Sequence, residues 1–309
     1  MRITSNTYTS LINNSSQTSQ QQLATLQQQI STGESVQFAS DNPLAYEQAS
    51  QAQTSLAQLN TYSTAATEAG ALTAQNNSAM TSLHQIIARA SELATSVTSN
   101  ESTSDLQAIG TEMGSLVSQL TSIVNQQTVN GTYLFGGTSN QPPITSTGAY
   151  NSSTNGDETT IDVQPGNAVQ TGIVAGRPGS PPVDGFLYDS SSGVDVLASL
   201  NQTISDLNSG NASAVQTTDL PALNHALNLV SQYVGSTAAS MSAVQTASTT
   251  LSQQITSQGD QLNTLTQTNL PDAELQLQQI QNQYQASLEA GSRILSMSIL
   301  NYISSVPTT

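Results

Sequence analysis

The chain has 309 residues, of which 36% are hydrophobic and only 4% aromatic, so a thick globular core is not expected. Four arginines and no lysine stand against twenty carboxylates, and the net charge is −16. This balance argues against nucleic acid and anionic membranes as partners, because both require clustered cations. Without cysteine, without a long apolar run and with the polar start "MRITSNTYTS", we expect no disulfide, no membrane span and no cleaved signal peptide.

The first predicted element is an amphipathic helix followed by a break. Its apolar positions are Ile12, Leu23, Leu26 and Ile30. Gly33 follows as a C-cap that can adopt a positive φ. Asn42 is then a good N-cap, and Pro43 suits the first position of a new helix. The stretch "ISTGESVQFASDNPLAY" therefore predicts a helix end, an exposed joint and a helix start.

Long helices are predicted from apolar residues spaced by alternating steps of four and three, which is the coiled-coil period. One seam occupies residues 72–97, and a second occupies residues 106–123. A third occupies residues 223–265, on a helix predicted to begin near Asp219 and Pro221. The matching periods predict that these helices pack against one another.

The C-terminal end of the chain repeats the arrangement of the N-terminal end. Pro271, in "TNLPDAE", can restart a helix with Asp272 and Glu274 in its first turn. The apolar stripe of this helix consists of Leu277, Ile280, Tyr284, Leu288, Leu295, Ile299 and Tyr302. Each end thus has a terminal helix, a break and a long heptad helix. Gly33, Asn42, Pro43 and Pro271 are the predicted joint residues.

The middle of the chain differs from the two arms in amino-acid composition. Residues 141–190 are rich in Gly, Pro, Asn and Ser and contain short alternating runs such as "TTIDVQ" and "GFLYD". Residues 194–208 predict a short helix stopped by Gly210. The predicted fold is mainly α, with long antiparallel heptad helices formed by the two arms and a small β-rich domain inserted between them. The predicted segments are 1–42, 43–140, 141–191, 192–268 and 269–309.

No residue pattern predicts catalysis. The two histidines, His84 and His225, lie far apart, and packing or surface roles are the common ones for such residues. Asp157, Glu158 and Asp162 form the densest acidic group but lack EF-hand spacing. "LFGG" and "GNAVQTG" match no phosphate-binding fingerprint. We therefore expect no enzymatic activity, cofactor, metal or small-molecule ligand.

The apolar stripes of the two terminal helices indicate that these helices associate with another surface. Helices of about thirty residues with interrupted apolar stripes fray unless one face is buried. The apolar residues of the two terminal helices therefore form the predicted assembly interface. The alternative is that these helices simply pair with each other within one molecule.

The chain resembles the bacterial flagellin superfamily in "MRITSN", "LQQQISTGESVQFASDNPLAYEQA", "VNGTYLFGG" and "LPDAELQLQQIQNQYQASLEAGSRILSMSILNYI". The resemblance covers roughly residues 1–140 and 192–303. The "STG…DNP" joint and the ending near "ILNYI" are more similar to hook–filament junction proteins than to flagellin itself. The scarcity of charge in the arms departs from the family pattern.

The resemblance implies a structural subunit of the bacterial flagellum, exported unfolded through a type III channel with an uncleaved signal and a cytosolic chaperone. Outside the cell, its terminal helices would pack against copies of the chain. The first hook–filament junction protein and flagellin would be its other partners. The alternative is a bulk filament subunit, and a third hypothesis is a secreted adhesin whose residues 141–190 bind a ligand.

Overall fold

Long helices make up most of the protein, and they are seen in a computed structural model that describes residues 5–128, 130–139 and 141–304. The side chains of residues 5–9, 294, 295 and 297–304 lie outside this description. The helices are α1 (Ser5–Thr32), α2 (Pro43–Ser96), α3 (Thr103–Val124), α4 (Val196–Asn208), α5 (Ala212–Ala214), α6 (Leu220–Thr266) and α7 (Leu270–Ser304). The strands are β1 (Thr160–Gln164), β2 (Asn167–Gln170), β3 (Tyr188–Asp189) and β4 (Val194–Asp195). The predicted fold class, mainly α with a small strand-containing middle, is confirmed.

The described chain divides into two compact units. Unit 1 comprises the described part of residues 1–57 and 256–309, and unit 2 comprises the described part of residues 58–255. The division into five segments predicted from the sequence stays a prediction. None of the described helices is long and apolar enough to cross a membrane.

The ends of α1 and α2 follow from local capping chemistry. Gly33 has φ 75°, and its N–H donates to the Gln29 carbonyl oxygen at 2.8 Å. This left-handed C-cap closes α1 one residue before the glycine. At the start of α2, Asn42 Oδ1 accepts from the Ala45 N–H at 3.1 Å. The helix ends therefore lie where the sequence predicts them.

In unit 1, helices α1 and α7 pack against each other in antiparallel orientation. Gln20 Nε2 donates to the Tyr284 hydroxyl at 2.7 Å. Further along, a Cβ added to Gly291 would lie 3.2 Å from Ile12 Cγ2. Higher residue numbers in α1 therefore contact lower residue numbers in α7, so the two helices run antiparallel.

In unit 2, helices α2 and α6 are antiparallel neighbours. Thr237 Oγ1 donates to Asn77 Oδ1 at 3.3 Å, and Ser91 Oγ donates to Asn224 Oδ1 at 3.0 Å. Residue numbers again rise on one helix as they fall on the other. Heptad packing of the coiled-coil type stays a prediction.

The core of unit 2 is built by helices and by the middle segment together. Leu120 and Leu223, which belong to the predicted seams, are fully buried. So is Met80, which lies beside a seam residue of α2. Phe135 and Phe186 of the middle segment join the same cluster, and their rings meet edge to face at 4.8 Å. A smaller cluster unites residues of α2, α6 and the first hairpin, namely Ala66, Ala69, Val163, Val169, Val244, Ala247 and Leu251. The strand-containing segment is thus part of the hydrophobic core.

Two short antiparallel sheets form the strand-containing segment. Strands β1 and β2 pair in the order expected of a hairpin, and Gly166 in their connection has φ 73°. Because Pro165 precedes this glycine, the pair has the chemistry of a type II turn. Strands β3 and β4 form the second sheet. Gly136 also pairs with Val174, so main-chain pairing reaches residues before the predicted boundary at 140 and 141.

The start of α6 differs from the sequence-based expectation. The sequence predicts a start near Asp219 and Pro221, whereas helical backbone begins earlier, at α5, and passes through a π-helix at Val215–Asp219. The Leu220 N–H donates to the Val215 carbonyl oxygen, five residues earlier. A proline lacks an N–H and crowds the preceding turn, so a widened turn before it lets the helix continue.

Candidate assembly surface of the terminal helices

The two predicted breaks are hydrogen-bonded to each other. The Ser35 N–H donates to the Thr266 carbonyl oxygen at 2.6 Å, and the Thr268 N–H donates to the Gly33 carbonyl oxygen at 2.8 Å. Glu34 and Gln267 lie between these bonds as an antiparallel bridge. The joint is therefore a paired main-chain element that links the end of α1 to the end of α6.

A turn in the same joint exposes an aromatic side chain. Asp41 Oδ2 accepts from the Gln37 N–H at 3.1 Å and from the Phe38 N–H at 2.9 Å. These bonds fix the backbone of the turn. The Phe38 side chain nevertheless remains 58% exposed, so no described part of the chain covers it.

The predicted interface residues lie mainly at or near the contact between α1 and α7. Leu26 is buried, and Leu288 is 50% exposed. Half-buried positions are Ile12, Leu23, Ile30, Leu277, Ile280 and Tyr284. The side chains of Leu295, Ile299 and Tyr302 lie outside the described residues. The two terminal helices thus pair with each other, which is the arrangement that the sequence left open as the alternative.

Other apolar side chains of unit 1 are exposed as well. The sequence did not single out the exposed residues Leu11, Phe38, Leu44, Tyr46, Leu270 and Leu275 as interface residues. Leu11 adjoins the predicted α1 stripe at Ile12, and Leu275 lies two positions before the α7 stripe begins at Leu277. A search of each terminal helix for large apolar residues outside the predicted stripe could have found Leu11 and Leu275.

An open cleft of about 390 Å³ lies at the joint. Its apolar lining comes from Val36, Phe38, Tyr46 and Ala49. Glu34 is the charged residue among those that line it. The joint therefore combines exposed apolar groups with little charge, a composition that suits contact with another apolar surface.

The described ion pairs lie in unit 2. Arg89 pairs with Glu92 at 2.9 Å and with Glu112 at 2.8 Å, and hydrogen bonds to Glu112 first and Glu92 second raise the pKa of Arg89. Among the described residues no group of three or more His, Asp or Glu side chains could hold a metal ion. Unit 1 carries exposed carboxylates, among them Glu47, Asp272 and Glu274, beside its exposed apolar side chains.

Two comparisons concern the sequence of the chain. Residues 3–140 match the family model of the bacterial flagellin N-terminal helical region. No curated protein matches the chain in sequence. The resemblance to the flagellin superfamily drawn from "ISTGESVQFASDNPLAY" and "VNGTYLFGG" is confirmed by this match.

Solved structures of flagellar proteins share the fold. A putative flagellar hook-associated protein from Vibrio parahaemolyticus aligns over 73% of this chain and 99% of its own, with a TM-score of 0.64 and 17% identity. Flagellar hook-associated protein 3 from Legionella pneumophila aligns over 70% and 98%, with a TM-score of 0.59 and 12% identity. FlgL from Bacillus cereus aligns over 67% and 96%, with a TM-score of 0.54 and 19% identity. The chain therefore has the helical fold of these hook-associated proteins.

Proposed function

We propose that the chain is a non-enzymatic structural subunit of the bacterial flagellum, an adaptor that joins the hook side to the flagellin filament. The observation that carries the proposal is the distribution of exposed large apolar side chains. Among the described residues, seven of these side chains lie in unit 1 and one, Met241, lies in unit 2. The fold and the match of residues 3–140 support the flagellar setting.

The physical reason is that pairing of α1 with α7 leaves large apolar side chains of both helices exposed. Leu11 is 66% exposed, Leu275 is 59% exposed and Leu288 is 50% exposed. Scattered exposed leucines are ordinary, but a concentration in one unit marks a contact surface. The two helices would therefore form a pair in one molecule, and neighbouring subunits would cover the rest.

The proposed partners are copies of the chain, the first hook–filament junction protein, flagellin and a cytosolic export chaperone. The proposed location is the extracellular hook–filament junction, reached by type III export without a cleaved signal. The joint formed by Gly33, Asn42, Pro43 and Pro271 would let the terminal helices and the long helices take different tilts in the assembly. These features rest on the family resemblance together with the exposed surface of unit 1.

A matched set of variants tests the role of this surface. In cells that lack the native gene, Leu11→Ser, Leu275→Ser and Leu288→Ser are combined in one protein, and Met241→Ser serves as control. We expect the triple variant to be exported yet to support far fewer attached filaments in electron micrographs. The control should support as many filaments as the unchanged protein. If the triple variant attaches filaments normally, unit 1 does not assemble through these residues.

Two further experiments separate the alternatives. Loss of the gene should leave cells without attached filaments if the chain is an adaptor, whereas an adhesin would be dispensable for filament attachment. Purified protein added to filament seeds should not grow long polymers, whereas a flagellin should. The observed packing of Phe186 and Ile144 in the core makes removal of residues 141–190 an unsuitable test, because it would unfold unit 2.

A further inference from the structure

A cleft of about 300 Å³ in unit 2 plays no part in the proposed assembly. Glu68 and Leu72 of α2 form one wall, and they lie four residues apart on one face of the helix. The turn around Tyr133 and the "LFGG" stretch form the facing wall, and the start of β1 closes one side. Its volume is at the lower end of the range of about 300–1,000 Å³ that small-molecule sites occupy.

Hydrogen bonds hold the walls of the cleft in place. The buried Asn76 donates from Nδ2 to the Thr171 carbonyl oxygen at 2.6 Å and ties this wall to α2. The N–H groups of Thr171 and Gly172 both donate to the Thr159 carbonyl oxygen at 2.9 Å. A Cβ at Gly172 would collide with the Thr159 hydroxyl, so glycine permits this close approach. The cleft is therefore pre-formed.

The lining combines neutral hydrogen-bonding side chains with apolar atoms, which contribute the larger part of its exposed area. Members of this set include Thr128, Asn130, Thr132, Thr138, Ser139 and Thr159. Tyr133 adds a half-buried aromatic ring, and Glu68 adds one carboxylate. Among the residues described around the cleft there is no arginine or histidine. Phosphate and other anions are thus poor occupants of this cleft.

One hydroxyl at the cleft lacks a hydrogen-bond partner. Ser139 Oγ is enclosed and has no partner among the described residues. Its main-chain N–H, by contrast, donates to the Gly136 carbonyl oxygen at 3.2 Å. The enclosed hydroxyl therefore belongs to the wall, and a ligand in the cleft would meet the accessible lining side chains instead.

We propose that this cleft binds a neutral saccharide. Sugar rings carry closely spaced hydroxyls that need donors and acceptors, which the threonine and asparagine side chains supply. A carboxylate such as Glu68 accepts charge-assisted hydrogen bonds from two neighbouring hydroxyls. Tyr133 offers an apolar ring face for the C–H face of the sugar. The "LFGG" stretch, which matches no phosphate motif, would then form part of the wall of this saccharide site.

Ligand-observed NMR with maltose, N-acetylglucosamine and galactose tests the proposal on the full-length protein. We expect saturation transfer to at least one of these sugars, with affinity reduced about tenfold or more by Glu68→Gln and by Tyr133→Ala. Glu158→Gln is the control, because it removes an exposed carboxylate of unit 2 that does not line the cleft. Glu68 is exposed, so its variant should fold even where Tyr133→Ala does not.

Three outcomes would overturn the proposal. The first is that none of the sugars receives saturation, and the second is that binding survives both cleft substitutions. The third is that spermidine, and no sugar, receives saturation from the protein and loses it on Glu68→Gln, which would make Glu68 part of a cation site. Filament attachment is measured separately, so failure of sugar binding would leave the proposed adaptor role untouched.

Discussion

Unit 1 and unit 2 differ in where they place their apolar side chains. Unit 2 has a continuous core that includes the fully buried Met80, Leu120 and Phe186. The buried apolar residues described in unit 1 are Leu26, Ala49, Ala52 and Ala273. Because burial of apolar surface is the main stabilising term in folding, unit 2 carries its own stability. The described part of unit 1 has only a thin core, and we propose that neighbouring subunits supply further stabilisation.

The largest expected effect comes from the core of unit 2. Phe186→Ala should lower the free energy of unfolding by about 3–5 kcal/mol, because it leaves a cavity beside Phe135. Leu26→Ala in unit 1 should cost about 2 kcal/mol, since fewer neighbours surround it. Urea unfolding followed by circular dichroism measures both values, with the exposed Leu275→Ala as control. Equal losses for the two core variants would show that unit 1 is packed as well as unit 2.

A buried carboxyl of unit 2 provides the second effect, which depends on pH. Asp219 is 2% exposed, and its Oδ2 has no hydrogen-bond partner among the described residues. Burial is the larger cause, and the charge of Asp206 is the next; together they raise the pKa of Asp219 from 3.8 to about 6. Asp206 itself accepts from Gln202 Nε2 at 2.8 Å, so amide donors serve that carboxylate instead.

The direction of this pH effect follows from the raised pKa. The folded state holds the Asp219 proton more tightly than the unfolded state, so this stabilisation is complete below the ordinary pKa and is lost as pH rises through about 6. Asp219→Asn should therefore add about 1–2 kcal/mol at neutral pH, after allowance for solvent screening, and nothing near pH about 4. Urea unfolding of both proteins across this range measures the difference. A gain that does not vary with pH would contradict the assignment.

A pair of glycines in unit 1 tests the joint. An added Cβ meets no atom within 4 Å at Gly33 or at Gly259, but only Gly33 has a positive φ, of 75°. Gly33→Ala should therefore cost about 1 kcal/mol through backbone strain, whereas Gly259→Ala in the interior of α6 should add about 0.5–1 kcal/mol. Thermal unfolding measures both. The same sign for both variants would mean that the conformation of Gly33 does not hold the joint.

Electrostatic variants should have the smallest effect. Arg89 and its partners Glu92 and Glu112 are 47%, 70% and 47% exposed in their side chains, so solvent and salt screen these pairs. Arg89→Gln should change stability less than any variant above. Added salt should likewise weaken assembly little, because the chain has few cations with which to form attractive ion pairs. A steep fall in association between low and moderate salt, seen by sedimentation, would contradict this.

Local chemistry made the helix ends predictable, and tertiary context decided what the sequence missed. The positions of Gly33, Asn42 and Gly210 were readable because capping depends on a few neighbouring residues. The π-helix before Pro221 was not, because it follows from accommodating a proline inside a continuing helix. The exposure of Leu11 and Leu275 also escaped prediction, since it depends on which face of each terminal helix meets the other. The interior placement of Phe186 needed the fold itself.

Hydrogen exchange of the purified, unassembled protein, followed by mass spectrometry, tests most directly whether the two units differ in their own stability. The account predicts that amides of α1 and α7 exchange much faster than those of α2 within residues 79–97, where the unit 2 core lies. Addition of filament ends should then slow exchange in α1 and α7 selectively. Equal protection of both units in the free protein would contradict the account, because unit 1 would then need no neighbour to complete it.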